Sequence, residues 1–280
     1  MIKITFNEPI APPKDSGMLK FLYGNVFGRI LLGLLISRPV SKIAGAFLSS
    51  RLSKRLIKKF VSNNNIDLNE FESDNFRCFN DCFCRKMKDG KRLLEQGLIA
   101  PCDGLLSVYP IKDGLIMPIK QSRYSVADLL QDGELAKDFD GGTALVFRLC
   151  VNHYHRYSYF DDGVKSENKF IKGRLHTVRP IALRKYPVFV ENCREMTVMD
   201  TVHYGKAVQI EVGAMLVGKI ANLHGKGTMK RGEEKGMFLY GGSTIVLLLQ
   251  KDATKIPEEL FEATEKGLET PVQLGQQIGE

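Results

Sequence analysis

Apolar positions change their period twice along this chain. From Met18 to about Phe60 they recur with helical spacing, divided at Pro39. The first half, Phe21 to Ile36, is strongly apolar but contains Arg29 and three glycines. Its sixteen residues reach about 24 Å at about 1.5 Å each, short of the roughly 30 Å hydrocarbon core of a bilayer. A cation near the middle makes spanning less favourable still. The second half sets Ile43, Phe47, Leu48, Leu52, Leu56, Ile57 and Phe60 against Arg51, Lys54, Arg55, Lys58 and Lys59, the pattern of a basic amphipathic helix. Ahead of both, alternating Ile2–Phe6 predicts a short strand ended by Pro9, Pro12 and Pro13, and Asp15-Ser16 a helix cap.

Asn63-Asn64-Asn65 breaks the pattern, and Asp67 to about Lys88 again reads as helix through Phe71, Phe76, Phe79 and Phe83. From Leu98 onward short β runs alternate with Gly/Pro turns, for example Leu105–Tyr109, Gly114–Ile119, Thr143–Leu149, Ala207–Val212 and Ile245–Leu249. Further helices are predicted only at Ser125–Leu130 and Pro257–Lys266. The expected fold class is α+β: a mainly antiparallel β body (63–280) behind N-terminal membrane-associating helices (1–62).

Charge sharpens that division. The chain of 280 residues carries +8, yet ten Lys/Arg against Asp15 alone between Lys14 and Lys59 give that segment +9. A basic amphipathic segment of this kind fits helices lying in the interface of an anionic membrane; the alternative is a surface helix packed on the core. Nucleic acid is disfavoured, because no aromatics are interleaved with the cations as a stacking surface requires. The six cysteines, with no leader ahead of them, read as reduced thiols in a cytosolic-side compartment. Cys78, Cys82 and Cys84 lack the paired spacing of a zinc site, so no metal is expected.

The most informative stretch is Gly241-Gly242-Ser243-Thr244, leading into the apolar run Ile245–Leu249. Two glycines leave the carbonyl before Ser243 open to attack. Alone, the four residues describe a turn entering a strand. With Lys230-Arg231-Gly232-Glu233-Glu234-Lys235-Gly236-Met237-Phe238 upstream, the segment resembles the C-terminal signature of phosphatidylserine decarboxylases. In that family the chain breaks itself before the serine, which becomes a pyruvoyl group; the matching bond here is Gly242–Ser243.

Other blocks carry the same resemblance in the same order. Phe79-Asn80-Asp81-Cys82-Phe83-Cys84-Arg85 is similar to the family's F-N-x-F-F-x-R segment, with Cys82 and Cys84 as departures. Pro101-Cys102-Asp103-Gly104 is similar to its P-x-D-G, whose aspartate belongs to an Asp–His–Ser system for self-cleavage. Tyr154-His155-Arg156 matches Y-H-R, and Phe189/Asn192/Arg194/Glu195 and Val212-Gly213-Ala214 with Val217-Gly218 match two more blocks. The family pattern often has an aspartate before that tyrosine and a second histidine three residues after the first; here those places hold His153 and Ser158. His155 is therefore the first choice for the cleavage base, with His153 and His176 as candidates for compensation. His203 and His224 match nothing in the pattern.

The resemblance implies a mechanism. A histidine polarised by Asp103 takes the Ser243 hydroxyl proton, and the oxygen attacks the Gly242 carbonyl to form an ester. Elimination and hydrolysis then leave a pyruvoyl group capping residues 243–280, the α chain, with 1–242 as the β chain. The ketone condenses with the serine amine of phosphatidylserine and serves as electron sink for loss of CO2, giving phosphatidylethanolamine. His155 would return the proton. The resemblance further implies a heterodimer of the two fragments, with higher homo-oligomers left open, on the cytoplasmic face of the cell membrane. Three alternatives compete: a non-catalytic membrane-bound relative, a pyruvoyl decarboxylase of a soluble amino acid, and a serine hydrolase built on Asp103, His155 and Ser243. The last lacks a G-x-S-x-G elbow.

Overall fold

The computed structural model describes residues 4–12, 15–119, 122–183, 185–214, 219–240 and 243–280. Helix α1 (Gly17–Gly24) starts at Ser16, whose hydroxyl accepts from Leu19 N–H at 3.3 Å. The apolar first half is not one helix. Asn25 stands extended between α1 and α2 (Val26–Leu35) and caps the second through a 2.8 Å bond from Phe27 N–H, so the two helices meet at 101°. Gly28 permits that elbow, because a Cβ there would lie 2.1 Å from the Phe21 carbonyl oxygen. Helix α3 (Arg38–Leu48) has Pro39 in its first turn, as its lack of an N–H allows. The basic amphipathic stretch then breaks at Ser49-Ser50 into a 3-10 turn (Arg51–Leu56) and α4 (Ile57–Asn63). Among the described residues no single helix is long and apolar enough to cross a membrane.

Two expectations fail in this half. Of the expected Ile2–Phe6 strand, Ile2 and Lys3 lie outside the described residues and Ile4–Phe6 is not a strand; among the described residues before α1 the one pairing is the bridge from Ile10 to Glu269. Residues 67–88 are mostly not helix. Turn-formers Ser73, Asp74 and Asn75 fold the segment back, with Glu72 N–H bonded to Lys86 O and Lys88 N–H to Glu70 O. Only a five-residue helix, α5 (Phe79–Phe83), survives.

The body is an antiparallel sheet whose centre is five strands: β1 (Gly104–Lys112), β2 (Thr143–Leu149), β3 (Arg194–Thr201), β4 (Gly205–Val212) and β5 (Ser243–Leu249). Their spatial order is β3-β4-β5-β2-β1. β5 is thus an interior strand, buried along its whole length, which is why it reads as a continuous apolar run rather than an alternating one. Thr270–Val272 adds to the free edge of β1. A smaller antiparallel sheet joins Ile220–Asn222, Glu234–Phe238 and Arg156–Ser158.

Two apolar layers enclose the sheet. One contains Val246 and Leu248 from β5 with Leu19, Leu22 and Tyr23 from α1; the other contains Ile245, Leu247 and Leu249 with Leu98, Tyr157 and Phe238. The first helix is therefore part of the core, while α2 leaves Phe27, Ile30 and Leu34 exposed at 77%, 66% and 61%.

Asn192 ties the layers at the site's end of the sheet. Its side chain accepts from His176 N–H at 2.9 Å and donates to His176 O at 2.8 Å and to Gly213 O at 2.7 Å. Asn192→Ala strands three buried backbone groups, and we expect it to lower the unfolding free energy by about 2–4 kcal/mol, measured by urea denaturation.

Candidate active site

Strand pairing brings the predicted chemistry to one end of the sheet. Ser243, the first residue of β5, lies opposite Leu149, the last of β2. On the next strand Leu105 pairs with Arg148, which places Asp103 just beyond the start of β1 at the same end. The loop leaving β2 carries His153 and His155. Gly241 and Gly242 lie outside the described residues, so the expected scissile bond does too, as do Val217 and Gly218.

Ser243 is fully buried and its Oγ has no hydrogen-bond partner among the described residues. An uncompensated buried hydroxyl is unfavourable by about 1–3 kcal/mol, so it marks a group held for a purpose other than stability. His155 is also fully buried. Its Nδ1 lies 2.9 Å from the His153 carbonyl oxygen, which assigns the proton to Nδ1. Nε2 keeps its lone pair and has no partner. Burial pushes this imidazole down to about 3, against the hydrogen bond to His153, so it is neutral at physiological pH. A neutral ring with one nitrogen fixed and the other free is the form a general base needs.

Three motif blocks converge around it. The Phe83 ring stacks against His155 with centroids 4.0 Å apart and meets Tyr240, three residues before Ser243, edge-on at 5.3 Å. Phe238 N–H donates to His155 O at 2.9 Å. Arg156 donates to Cys84 O at 2.8 Å and to Glu234 at 2.6 Å. Phe79 and Phe60 extend the aromatic wall, so the histidine lies against a dry surface.

Asp103 stands apart from the expected pairing. Its carboxylate accepts from Arg92 at 3.1 and 3.4 Å and from Leu274 N–H at 2.9 Å, and no bond to His155 is among those described. Its field does reach His153: burial lowers that imidazole, and the Asp103 charge opposes the shift. His176 is buried on the other layer beneath α1, where Tyr23 contacts it and Tyr186 stacks on it at 4.5 Å. Burial lowers it to about 4. His203 pairs with Asp161, and half-exposed His224 contacts Tyr159. The six cysteines are free thiols, and no metal-binding group of residues occurs among those described.

Sequence reading overlooked several residues here. Arg92 belongs to no motif, and nothing in its neighbourhood signals the Asp103 pair. Arg148 and Glu269, which form a buried ion pair across 121 positions, are invisible without the strand register. Glu211 left a clue, since it puts a charge between Ile210 and Val212; it forms a fully buried pair with Lys235, whose Nζ lies 2.9 Å from both carboxylate oxygens.

Comparison with known proteins agrees with this geometry. Residues 79–280 match the phosphatidylserine decarboxylase family. The chain is 46% identical over 269 residues to phosphatidylserine decarboxylase proenzyme 2 of Clostridium acetobutylicum, covering 95% of this chain and 92% of that one. It is 40% identical to the phosphatidylserine decarboxylase proenzymes of Ruminiclostridium cellulolyticum (94% and 90% covered) and Clostridium kluyveri (93% and 91%). The chain belongs to the phosphatidylserine decarboxylase family.

The His155 environment carries a pH signature. The imidazole ordinarily titrates near 6.5 and in the folded chain near 3. Between those values the unfolded chain binds more protons, so stability rises with pH there and falls as pH drops below 6.5. His155→Gln should lose less stability than the wild type between pH 7 and pH 5, the difference reaching at most about 1.4 kcal/mol per pH unit in urea unfolding.

Proposed function

We infer that this chain is a self-processing precursor that converts phosphatidylserine to phosphatidylethanolamine with release of CO2. The observation that carries the reading is the Ser243 hydroxyl, buried and uncommitted at the mouth of an interior strand, in a chain nearly half identical to a proenzyme of that activity. We assign His155 Nε2 as the acceptor of the Ser243 proton. Oγ attacks the Gly242 carbonyl carbon, the C–N bond breaks, and the freed amine takes up the proton, leaving an ester. Removal of the residue 243 Cα proton then breaks the Cβ–O bond and releases residues 1–242 with a carboxylate end. Water adds to the dehydroalanine left behind and ammonia departs. Burial and the Phe79–Phe83–Tyr240 wall protect the ester from hydrolysis back to serine.

The residues present fit a pyruvoyl group at position 243, since the site is enclosed and the one side-chain oxygen it replaces has no bond to lose. That group supplies an electron sink for decarboxylation of an amino-acid head group. His155, neutral and fixed through Nδ1, can carry a proton at Nε2 to the site of the lost carboxylate. After cleavage, residues 243–280 stay in place without a covalent link. β5 is paired on both sides, Thr270–Val272 pairs with β1, and the Arg148–Glu269 and Asp103–Leu274 contacts cross between the fragments.

The N-terminal helices are read as the docking surface for a membrane rich in anionic lipid. α2 presents Phe27, Ile30 and Leu34, on one face and all exposed, and the following segment adds exposed Ile43 and Leu52 next to Lys54, Arg55, Lys58 and Lys59. α1 cannot be removed to test this, because Leu19, Leu22 and Tyr23 belong to the core.

Two predictions follow from these assignments. Processed wild type should release CO2 from phosphatidylserine, and Ser243→Ala should release none. His155→Ala should accumulate precursor, slowed by about 10² or more on gels followed over time. Normal processing of His155→Ala beside stalled His153→Ala or His176→Ala would move the base assignment. For the membrane, Phe27→Gln with Ile30→Gln and Leu34→Gln, or glutamine at the four cations, should weaken sedimentation with phosphatidylglycerol vesicles, at about 1 kcal/mol per cation. Unchanged binding by both sets would refute the docking face.

A further inference from the structure

Among the other buried hydroxyls without a partner in the described residues is one that opens onto a cavity. Ser41, on α3, is 2% exposed and its Oγ makes no hydrogen bond. It lines a cavity of about 430 Å³ whose other polar walls are Lys42 from the same helix, Ser49 at its C-cap, Asn80 from α5, and Lys219 and Tyr240. Ser41 and Lys42 are neighbours on α3, and Ser49 caps its C-terminal end. No carboxylate lines the cavity.

The polar inventory is one-sided. Asn80 is already committed: its Oδ1 accepts from Tyr240 N–H at 3.2 Å and its Nδ2 donates to Ser49 Oγ at 2.8 Å. Ser49 therefore keeps its own hydroxyl proton to give, as does Ser41. Lys42 and Lys219 add two ammonium groups, neither in an ion pair among the described residues. Two cations and two free hydroxyl donors without a facing acceptor select a compact oxygen anion.

Placement relates the cavity to residue 243. Tyr240 forms part of its wall and precedes Ser243 by three residues, a span of at most about 10 Å along the chain. Phosphatidylserine carries its phosphodiester only a few bonds from the amine and carboxylate that react. The carboxylate leaves as CO2 and must lie at residue 243, so the phosphodiester is the anion left to bind at a distance. We propose that this cavity seats the phosphodiester of the lipid substrate. Lys42 and Lys219 balance its charge, and Ser41 and Ser49 donate to its free oxygens. The seat then fixes how far the head group reaches towards residue 243. This rests on the decarboxylase reading and adds to it a specificity site outside the reacting centre.

The experiment uses the full-length, processed enzyme with phosphatidylserine in mixed micelles. Lys219→Gln and Ser41→Ala should each raise KM, by about tenfold or more for the lysine, with kcat within about twofold and self-cleavage at the wild-type rate. Lys219→Arg should restore most of the loss, because it keeps the charge. Ser41→Ala removes a buried hydroxyl that bonds nothing in the ligand-free fold, so its thermal stability should be unchanged or higher even as KM rises. Inorganic phosphate and sn-glycerol 3-phosphate serve as soluble probes. Competition by glycerol 3-phosphate that weakens in Lys219→Gln supports the lipid seat. Competition by inorganic phosphate with unchanged lipid KM in both variants would mean a free-anion site and overturn the proposal. An unchanged KM in both variants, with processing and CO2 release intact, overturns it too while leaving the decarboxylase reading standing. Wild-type protein that is processed yet releases no CO2 would instead remove the reading on which the proposal rests.

Discussion

The pairing of β5 between β4 and β2 is the constraint on which this architecture depends. An interior strand has both backbone edges bonded, so its register cannot slip without turning every side chain to the opposite layer. Here that register sends Ile245, Leu247 and Leu249 into one apolar layer and Val246 and Leu248 into the other, and it fixes Ser243 at the boundary. The serine thus inherits its position from the six buried residues that follow it in the strand. The same pairing explains how a chain can be cut at that point and remain folded: the strand after the cut is held by its neighbours rather than by the bond that is lost.

Buried polar groups around the strand divide into two kinds. Glu211 with Lys235, Arg148 with Glu269, and Asn192 with His176 and Gly213 are satisfied, and loss of either partner of one of the two ion pairs costs about 3–5 kcal/mol. They hold strand ends in place. Ser243 Oγ and His155 Nε2 are buried and unsatisfied, as are Thr244 Oγ1 on the same strand and Ser158 Oγ. Both sets sit in the same low-dielectric surroundings, so the second stands out against the first. Burial of His155 also removes the ambiguity of charge that histidine usually has near neutrality.

Much of this was legible in the chain before folding. The run Ile245–Leu249 has strand length and strand residues, and the central strands fall where alternation and turn residues put them. The signature from Lys230 to Thr244 singled out Ser243 and the bond before it, and the family match covers the blocks from Phe79 onward. Failures have physical causes. Phe71, Phe76, Phe79 and Phe83 mimic helical spacing, but Phe71 bridges Met87 and the chain between them turns at Ser73–Asn75. Asn25 can close one helix and open the next, which periodicity alone does not reveal. Arg92 beside Asp103 is a tertiary pairing, for which local pattern carries no signal; the expected Asp103–His155 bond came from the resemblance and is replaced here by contacts to Arg92 and Leu274.

The central claim is that the buried Ser243 hydroxyl is used by the chain on itself. Intact-mass spectrometry of the purified wild-type protein tests it most directly. The account predicts two species, residues 1–242 and residues 243–280, the smaller one lighter than its sequence by the change from an N-terminal serine to a pyruvoyl group and resistant to Edman degradation. A single species at the full 31.5 kDa after prolonged incubation would contradict it.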